Sequence, residues 1–189
     1  MDLATFAERD GRPAVRLERV HAQSPERLWT ALTSPDELTR WFPSRAVIEL
    51  REGGKIEFTG DPRMPESSGT VLVCEPSRQL GYTWGGNELL FTLEALDGGG
   101  CRLTLTDFLE AENTAARNAA GWCVCLEELR KHLDGDQSAG PHGSAAAESW
   151  QSLYDRHVAA GIPYGAEIPG KAEVPGKAEV PGKAENPGK

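Results

Sequence analysis

The spacing of apolar residues between Thr114 and Gly135 is the most regular pattern in the chain. Apolar side chains recur there at steps of three and four positions, which places them along one side of a helix. They are Ala115, Ala119, Trp122, Leu126, Leu129 and Leu133. Gly135 can adopt the left-handed conformation that ends many helices. The pattern therefore predicts a long amphipathic helix whose apolar side must lie against another part of the protein.

Segments with alternating apolar and polar residues precede this helix and indicate β-strands. The first covers residues 13–20, and six more follow between Arg45 and Phe108, joined by short turns that make neighbouring strands antiparallel. Two short helices come after the first strand, and each begins with a serine cap followed by proline, at Ser24 and Ser34. This order of elements predicts an α+β fold in which a curved antiparallel sheet of about seven strands wraps around the long C-terminal helix.

Composition divides the chain into one domain and its appendages. We expect the domain at residues 13–135, with a flexible N-terminus at residues 1–12 and a linker at residues 136–147. An accessory helix is predicted at residues 148–160. Its apolar face would carry Trp150, Leu153, Tyr154 and His157. Residues 161–189 contain PGKAEV-like repeats, and we expect disorder there because one apolar residue per repeat cannot offset the entropy of ordering.

The formal charge of −9 narrows the classes of partner. The repeats carry equal numbers of lysines and glutamates, so the surplus of acid lies in the rest of the chain. Such a surface lacks the clustered cations that bind nucleic acids and anionic membranes. The sequence shows neither a signal-peptide pattern nor an apolar run long enough for a membrane span. We therefore expect a cytoplasmic protein with reduced cysteines, no nucleic-acid partner and no membrane insertion.

Three stretches of sequence carry a resemblance to a known family. They are SPERLWTALTSPDELTRWF near the start, the YTW strand, and AGWCVCLEELRKHLDG at the end of the predicted domain. In this order and spacing they resemble the START-like (SRPBCC, helix-grip) superfamily, and within it bacterial proteins related to the activator of heat shock protein 90 ATPase. The resemblance implies a helix-grip fold that usually encloses a cavity open at one end. The superfamily includes lipid carriers, hormone receptors, polyketide cyclases and co-chaperone domains, so the resemblance alone does not select a function.

Motifs for metal binding and catalysis are missing from the sequence. The four histidines are scattered, and neither His-x-x-x-His nor Cys-x-x-Cys occurs. Cys123 and Cys125 would point about 200° apart on a helix, which does not suit one metal ion. No nucleophile elbow or phosphate-binding loop is present. We assign no catalytic residue, metal site or cofactor, and we favour a protein that is not an enzyme.

The remaining candidates for a site are the large apolar side chains expected to face the space between sheet and helix. They are Trp41, Phe58, Tyr82, Trp84, Phe91, Leu105, Trp122 and Leu126. One interpretation is that they fill an ordinary core. The other is that they line a cavity for a small hydrophobic ligand, in which Tyr82 and the indoles of Trp84 and Trp122 supply polar groups.

Asp107 is the one charged candidate. Strand alternation with Leu103 and Leu105 would turn its side chain inward, where a carboxylate needs a partner or takes a raised pKa. If the strand ends before this residue, the side chain is solvated instead. The loop at residues 60–68, with Arg63 and Met64, is expected to form the mouth or lid of a cavity.

Three hypotheses of function follow from these features. The leading one is a soluble carrier or sensor that binds a small apolar ligand between the sheet and the C-terminal helix. The resemblance also implies a co-chaperone-like activator of a heat shock protein 90 type ATPase, with that chaperone as partner and a role in the stress response. The third hypothesis is a polyketide-cyclase-like enzyme with Asp107 as its base.

Overall fold

One antiparallel sheet of eight strands, four α-helices and one 3-10 turn (Glu112–Thr114) make up the part of the chain that the computed structural model describes, residues 2–9 and 11–168. The strands are β1 (Thr5–Arg9), β2 (Arg12–His21), β3 (Arg45–Ile48), β4 (Lys55–Thr59), β5 (Ser67–Glu75), β6 (Gln79–Trp84), β7 (Asn87–Ala95) and β8 (Cys101–Phe108). The helices are α1 (Pro25–Thr33), α2 (Pro35–Leu38), α3 (Ala115–Asp134) and α4 (Ser144–Ala159). The strand order is β1-β2-β8-β7-β6-β5-β4-β3, so β8 lies near the middle of the sheet.

The sheet grips α3, as the sequence pattern predicts for an α+β helix-grip fold. The α3 helix ends at Gly135, which has a left-handed φ of 76°. Its buried residues include the predicted stripe from Ala115 through Leu129, but also Ala116 and Ala120, which lie off that stripe. The second buried side exists because α4 packs against α3 on the side away from the sheet, and Gly121 there faces the indole of Trp150.

The expectation of a flexible N-terminus is wrong for residues 5–9, which form the edge strand β1. Strand β1, which the sequence patterns did not predict, pairs antiparallel with β2, with Phe6 opposite Val15. The local sequence does not predict this strand, because only Phe6 in residues 5–9 is even partly buried and no apolar–polar alternation results. Backbone hydrogen bonding to β2 therefore holds this strand more than side-chain burial does.

The C-terminal part is also more ordered than expected. The accessory helix α4 begins at Ser144, four residues before the predicted start. Beyond it, Ile162 is buried, the Ala116 N–H donates to the Pro163 carbonyl at 2.9 Å, and Arg117 donates to the Glu167 carbonyl at 2.9 Å. These contacts contradict the expected disorder for residues 161–168, while residues 169–189 of the repeat tail lie outside the described residues.

His157 attaches α4 to the N-terminal segment. Its ring is fully buried, its Nδ1–H donates to the Leu153 carbonyl at 2.7 Å, and its Nε2 accepts the Ala4 N–H at 3.0 Å. The contact with Ala4 requires the neutral imidazole, because protonated Nε2 could not accept a hydrogen bond. Burial accordingly lowers the pKa of His157 below its usual value of 6.5.

Replacing His157 with phenylalanine is expected to lower the free energy of unfolding by about 1–3 kcal/mol at pH 7.5, because the Ala4 N–H loses its acceptor. The difference should shrink as the pH falls below 6.5, since the unfolded wild-type histidine then binds a proton more readily than the folded one. Urea unfolding of both proteins from pH 7.5 to 5 tests this. Stability profiles that run parallel over that range would contradict the assignment.

Candidate functional site

Six of the nine candidate residues lie in a closed core between the sheet and α3. They are Trp41, Phe58, Tyr82, Phe91, Leu105 and Leu126, and each is at most 3% exposed. Their rings contact one another, with centroids about 6 Å apart for the pairs Trp41–Phe91, Phe58–Tyr82 and Tyr82–Phe91. The Trp41 indole is already satisfied by the Ala31 carbonyl at 2.9 Å. These side chains fill the space in which we expected the ligand.

A pocket with a cavity volume of about 400 Å³ lies beside α3 instead. Trp84 and Trp122 are the two candidates that line it. The other walls come from the segment before β3, the β4–β5 loop, the β6–β7 turn with the start of β7, the segment before α3, the linker with α4, and the segment after α4. Their lining residues are Pro43, Asp61, Arg63, Met64, Gly85, Asn87, Glu110, Ala111, Pro141, His142, Ala146, Trp150 and Ile168. The volume is within the roughly 300–1,000 Å³ usual for small-molecule sites.

The pocket follows α3 from Thr114 to Cys125, a length of about 16 Å at the helical rise of 1.5 Å per residue. Hydrogen-bonding groups gather at its N-terminal end, where Arg117 and Asn118 face Asn87 and Glu110. The wall farther along α3 is mainly apolar, although Asp61, Arg63 and His142 also line the pocket. Gly121 leaves this wall open because it has no side chain. The lining residues of this apolar part are Met64, Trp84, Trp122, Val124, Cys125, Ala146 and Trp150.

Asp107 lies directly behind the polar end of the pocket, in the interior strand β8, and is completely buried. One carboxylate oxygen accepts the Asn87 amide at 2.9 Å. The other accepts the Asn118 amide at 3.1 Å and the Trp122 indole N–H at 2.9 Å. The inward orientation that strand alternation suggested is therefore the one observed. Because the carboxylate is enclosed, its effect on the pocket passes through the three side chains that it holds.

The side-chain amides of Asn87 and Asn118 each form hydrogen bonds through both the nitrogen and the oxygen. The Asn87 oxygen accepts the Glu110 backbone N–H at 3.0 Å, and the Asn118 oxygen accepts Arg117 Nε at 3.1 Å. The only N–H of Trp122 donates to Asp107, so the side chain presents an apolar ring rather than the expected polar group to the pocket. Asn118 supplies the polar contact in its place.

Burial raises the pKa of Asp107 to about 6, against the opposing effect of its hydrogen bonds from Trp122, Asn118 and Asn87. The three donors favour the carboxylate form, so the group remains predominantly ionised at pH 7. The cluster is therefore a buried anion bonded to the pocket wall.

Sequence patterns missed Asn87, Asn118, Gly121 and Trp150 as parts of the pocket. One local signal was available: a glycine inside a strong helical pattern usually has a packing or functional reason. The asparagines gave no such signal, because their common partner Asp107 is reached only when β7, β8 and α3 come together. The β4–β5 loop does line the pocket through Arg63 and Met64, as expected of a mouth.

Other kinds of site find little support in the described residues. Within residues 2–9 and 11–168, no cluster of three potential metal ligands occurs, and the four cysteines are unpaired. Burial raises the pKa of the Cys101, Cys123 and Cys125 thiols, which keeps them protonated. No helix in this part of the chain is long and apolar enough to cross a membrane.

An eight-stranded antiparallel sheet around a long C-terminal helix, with a pocket beside that helix, defines a START-like protein of the helix-grip type. The family model described as "Activator of Hsp90 ATPase homolog 1-like protein" matches residues 22–134, and the chain belongs to this family. A comparison with curated proteins found no match.

Solved structures with the same fold come from several bacteria. CalU16 from Micromonospora echinospora is 23% identical with a TM-score of 0.64, over 82% of this chain and 94% of that one. The BPP1335 protein from Bordetella parapertussis is 28% identical with a TM-score of 0.61, over 79% and 88%. The Aha1 dimer from Colwellia psychrerythraea is 21% identical with a TM-score of 0.54, over 64% and 95%. These likenesses support the fold and do not identify a ligand for this protein.

Proposed function

We propose that this protein binds a small hydrophobic ligand in the pocket beside α3 and acts as its carrier or sensor. The observation that carries the proposal is the cavity of about 400 Å³, whose wall beside Trp84, Trp122 and Trp150 is apolar and whose N-terminal end carries Arg117 and Asn118. Membership of a START-like family agrees with it. The site differs from the one expected from sequence, because it lies along the flank of α3 and under α4.

The geometry does not favour an enzyme that uses Asp107 as its base. A general base must reach the proton that it removes, directly or through one water. Asp107 is fully buried, and both of its oxygens already accept hydrogen bonds from Asn87, Asn118 and Trp122. Its role in the proposal is to hold the polar end of the pocket in place. The co-chaperone hypothesis rests on the family description alone, and failure of the ligand test below would favour it.

Gly121 allows a direct test of the pocket. A side chain at this position starts in open space, because its Cβ would meet only the Trp150 indole nitrogen, at an ordinary 3.9 Å. Gly121→Phe should therefore fill the cavity, and we expect it to weaken binding of the neutral fluorescent probe N-phenyl-1-naphthylamine at least tenfold. The measurement is a fluorescence titration.

Gly121→Ala is the matched control. It adds one methyl group, should leave probe affinity within about threefold, and should raise the free energy of unfolding by up to about 1 kcal/mol because alanine favours helix. Equal probe affinity for the phenylalanine variant and the wild type would show that the probe binds elsewhere, and the proposed site would then be wrong.

A further inference from the structure

We infer that the ligand is an apolar carboxylic acid whose carboxylate lies against Arg117 and Asn118 at the N-terminal end of α3. The inference rests on the proposed function, since it names the chemistry of a ligand in the same pocket. It follows from the hydrogen-bonding groups and charges that remain available at the polar end.

Arg117 is a half-buried cation on the pocket wall, and some of its guanidinium N–H groups form no hydrogen bond within the described residues. Its Nε donates to Asn118 and its Nη1 donates to the Glu167 carbonyl at 2.9 Å, which leaves further guanidinium N–H groups available. Arg27 and Arg102 each pair with a glutamate at 2.6 Å, but no carboxylate in the described ranges forms an ion pair with Arg117. Arg117 forms no hydrogen bond with Asp107 within the described residues; the Asn118 amide bridges the two, and the positive charge of Arg117 also favours the Asp107 carboxylate at a distance.

Asn118 adds a second donor in a fixed position. Its Nδ2 gives one hydrogen to Asp107, and its oxygen accepts from Arg117, so the amide cannot turn over without losing both bonds. The second hydrogen on Nδ2 has no acceptor within the described part of the chain. A guanidinium beside a carboxamide donor suits the two oxygens of a carboxylate.

The partial positive charge at the N-terminal end of α3 also favours an anionic ligand. The first turn of this 20-residue helix contains no acidic residue, and Thr114 makes no side-chain capping bond. Glu112 lies in the 3-10 turn directly before it, and the Ala116 N–H already donates to the Pro163 carbonyl. The partial positive charge of the helix start is therefore not offset by side chains of the helix itself.

Two carboxylates also line the pocket, but neither forms an ion pair with Arg117, where we place the carboxylate of the ligand. Glu110 is exposed and lies over Gly86 in the β6–β7 turn, whose Cβ would collide with it. Asp61 lies toward Cys125, and its oxygens face the Arg63 backbone N–H at 2.8 Å and Ser44 at 3.5 Å. An anionic head at Arg117 would thus lie at the opposite end of the pocket from Asp61, with its apolar body along Trp84 and Trp122.

Calorimetric titration with decanoate and with decanol tests this inference, because the two ligands share one apolar chain and differ in the head group. We expect the wild type to bind decanoate at least tenfold more tightly than decanol. Arg117→Gln should abolish most of this preference by weakening decanoate binding far more than decanol binding, and Arg117→Lys should retain part of it. Arg78→Gln, at a strongly exposed arginine on the β5–β6 turn, is the charge-matched control and should keep the full preference.

The outcomes separate this inference from the proposed function. Decanol bound as tightly as decanoate, or a preference that survives in Arg117→Gln, would overturn the carboxylate assignment while the pocket stands. Failure of decanoate to displace N-phenyl-1-naphthylamine would also overturn it. Failure of the probe itself to bind the wild type would refute the proposed function and the inference together. Thermal unfolding of each variant verifies that the substitution leaves the fold intact.

Discussion

Trp122→Ala is expected to lower the free energy of unfolding by about 3–5 kcal/mol, as truncation of a fully packed aromatic residue does. Its side chain is only 3% exposed although it forms part of the pocket wall. The ring packs between Phe42, at 5.8 Å between centroids, and Trp84, at 5.3 Å. Its removal also takes one of three donors from the buried Asp107 carboxylate. Urea unfolding followed by far-ultraviolet circular dichroism measures the loss.

Trp122→Phe separates the two contributions. Phenylalanine keeps most of the ring contact and removes only the indole N–H, so we expect a loss of about 1–2 kcal/mol, close to that of a hydrogen bond to a charged group. A loss below about 1 kcal/mol for Trp122→Ala would mean that the ring rests loosely at the pocket mouth, contrary to the packing described above.

Between pH 4.5 and pH 7, Asp107→Asn is expected to shift the difference in free energy of unfolding between variant and wild type by about 2 kcal/mol. In the folded wild type the pKa is about 6, whereas the ordinary value is 3.8, so the folded state holds its proton up to a higher pH. The free energy of unfolding contributed by this group therefore falls as the pH rises from about 4 to about 6, by 1.4 kcal/mol for each pKa unit. The asparagine variant lacks the titrating group and should not show this fall.

The comparison uses urea unfolding of both proteins at pH 4.5 and at pH 7. The difference between variant and wild type should move in favour of the variant as the pH rises. Taking the difference removes the contribution of groups common to both proteins, including His157, whose effect has the opposite sign in part of this range. A difference that stays constant with pH would mean that Asp107 titrates normally and is not held in the way described.

Local sequence patterns were sufficient for most of the fold. Alternation located seven of the eight strands, and the three-and-four spacing together with Gly135 located α3. The edge strand β1 was missed because its side chains are mostly exposed and its order comes from pairing with β2. The docking of residues 161–168 was missed for a related reason: it depends on hydrogen bonds to the start of α3, which no local pattern records.

The site was harder to predict than the fold. Aromatic residues at core positions give the same sequence pattern whether they fill the interior or line a cavity. The pattern shows which way the side chains face, but not how much empty volume remains between them. Ring contacts near 6 Å among Trp41, Tyr82 and Phe91 show that these side chains take up the interior. The pocket forms where α4 spans the flank of α3, and only the tertiary structure brings Trp150 and Gly121 together.

The position of the bound ligand is the central claim, and the five tryptophan indole groups report on it directly. In a ¹H–¹⁵N spectrum, with each indole signal assigned by a Trp→Phe variant, N-phenyl-1-naphthylamine should shift the Trp84 and Trp150 signals. The Trp41 signal, from the closed core, should remain where it is. A shift of Trp41 with Trp84 and Trp150 unchanged would place the ligand between the sheet and α3 and contradict this account.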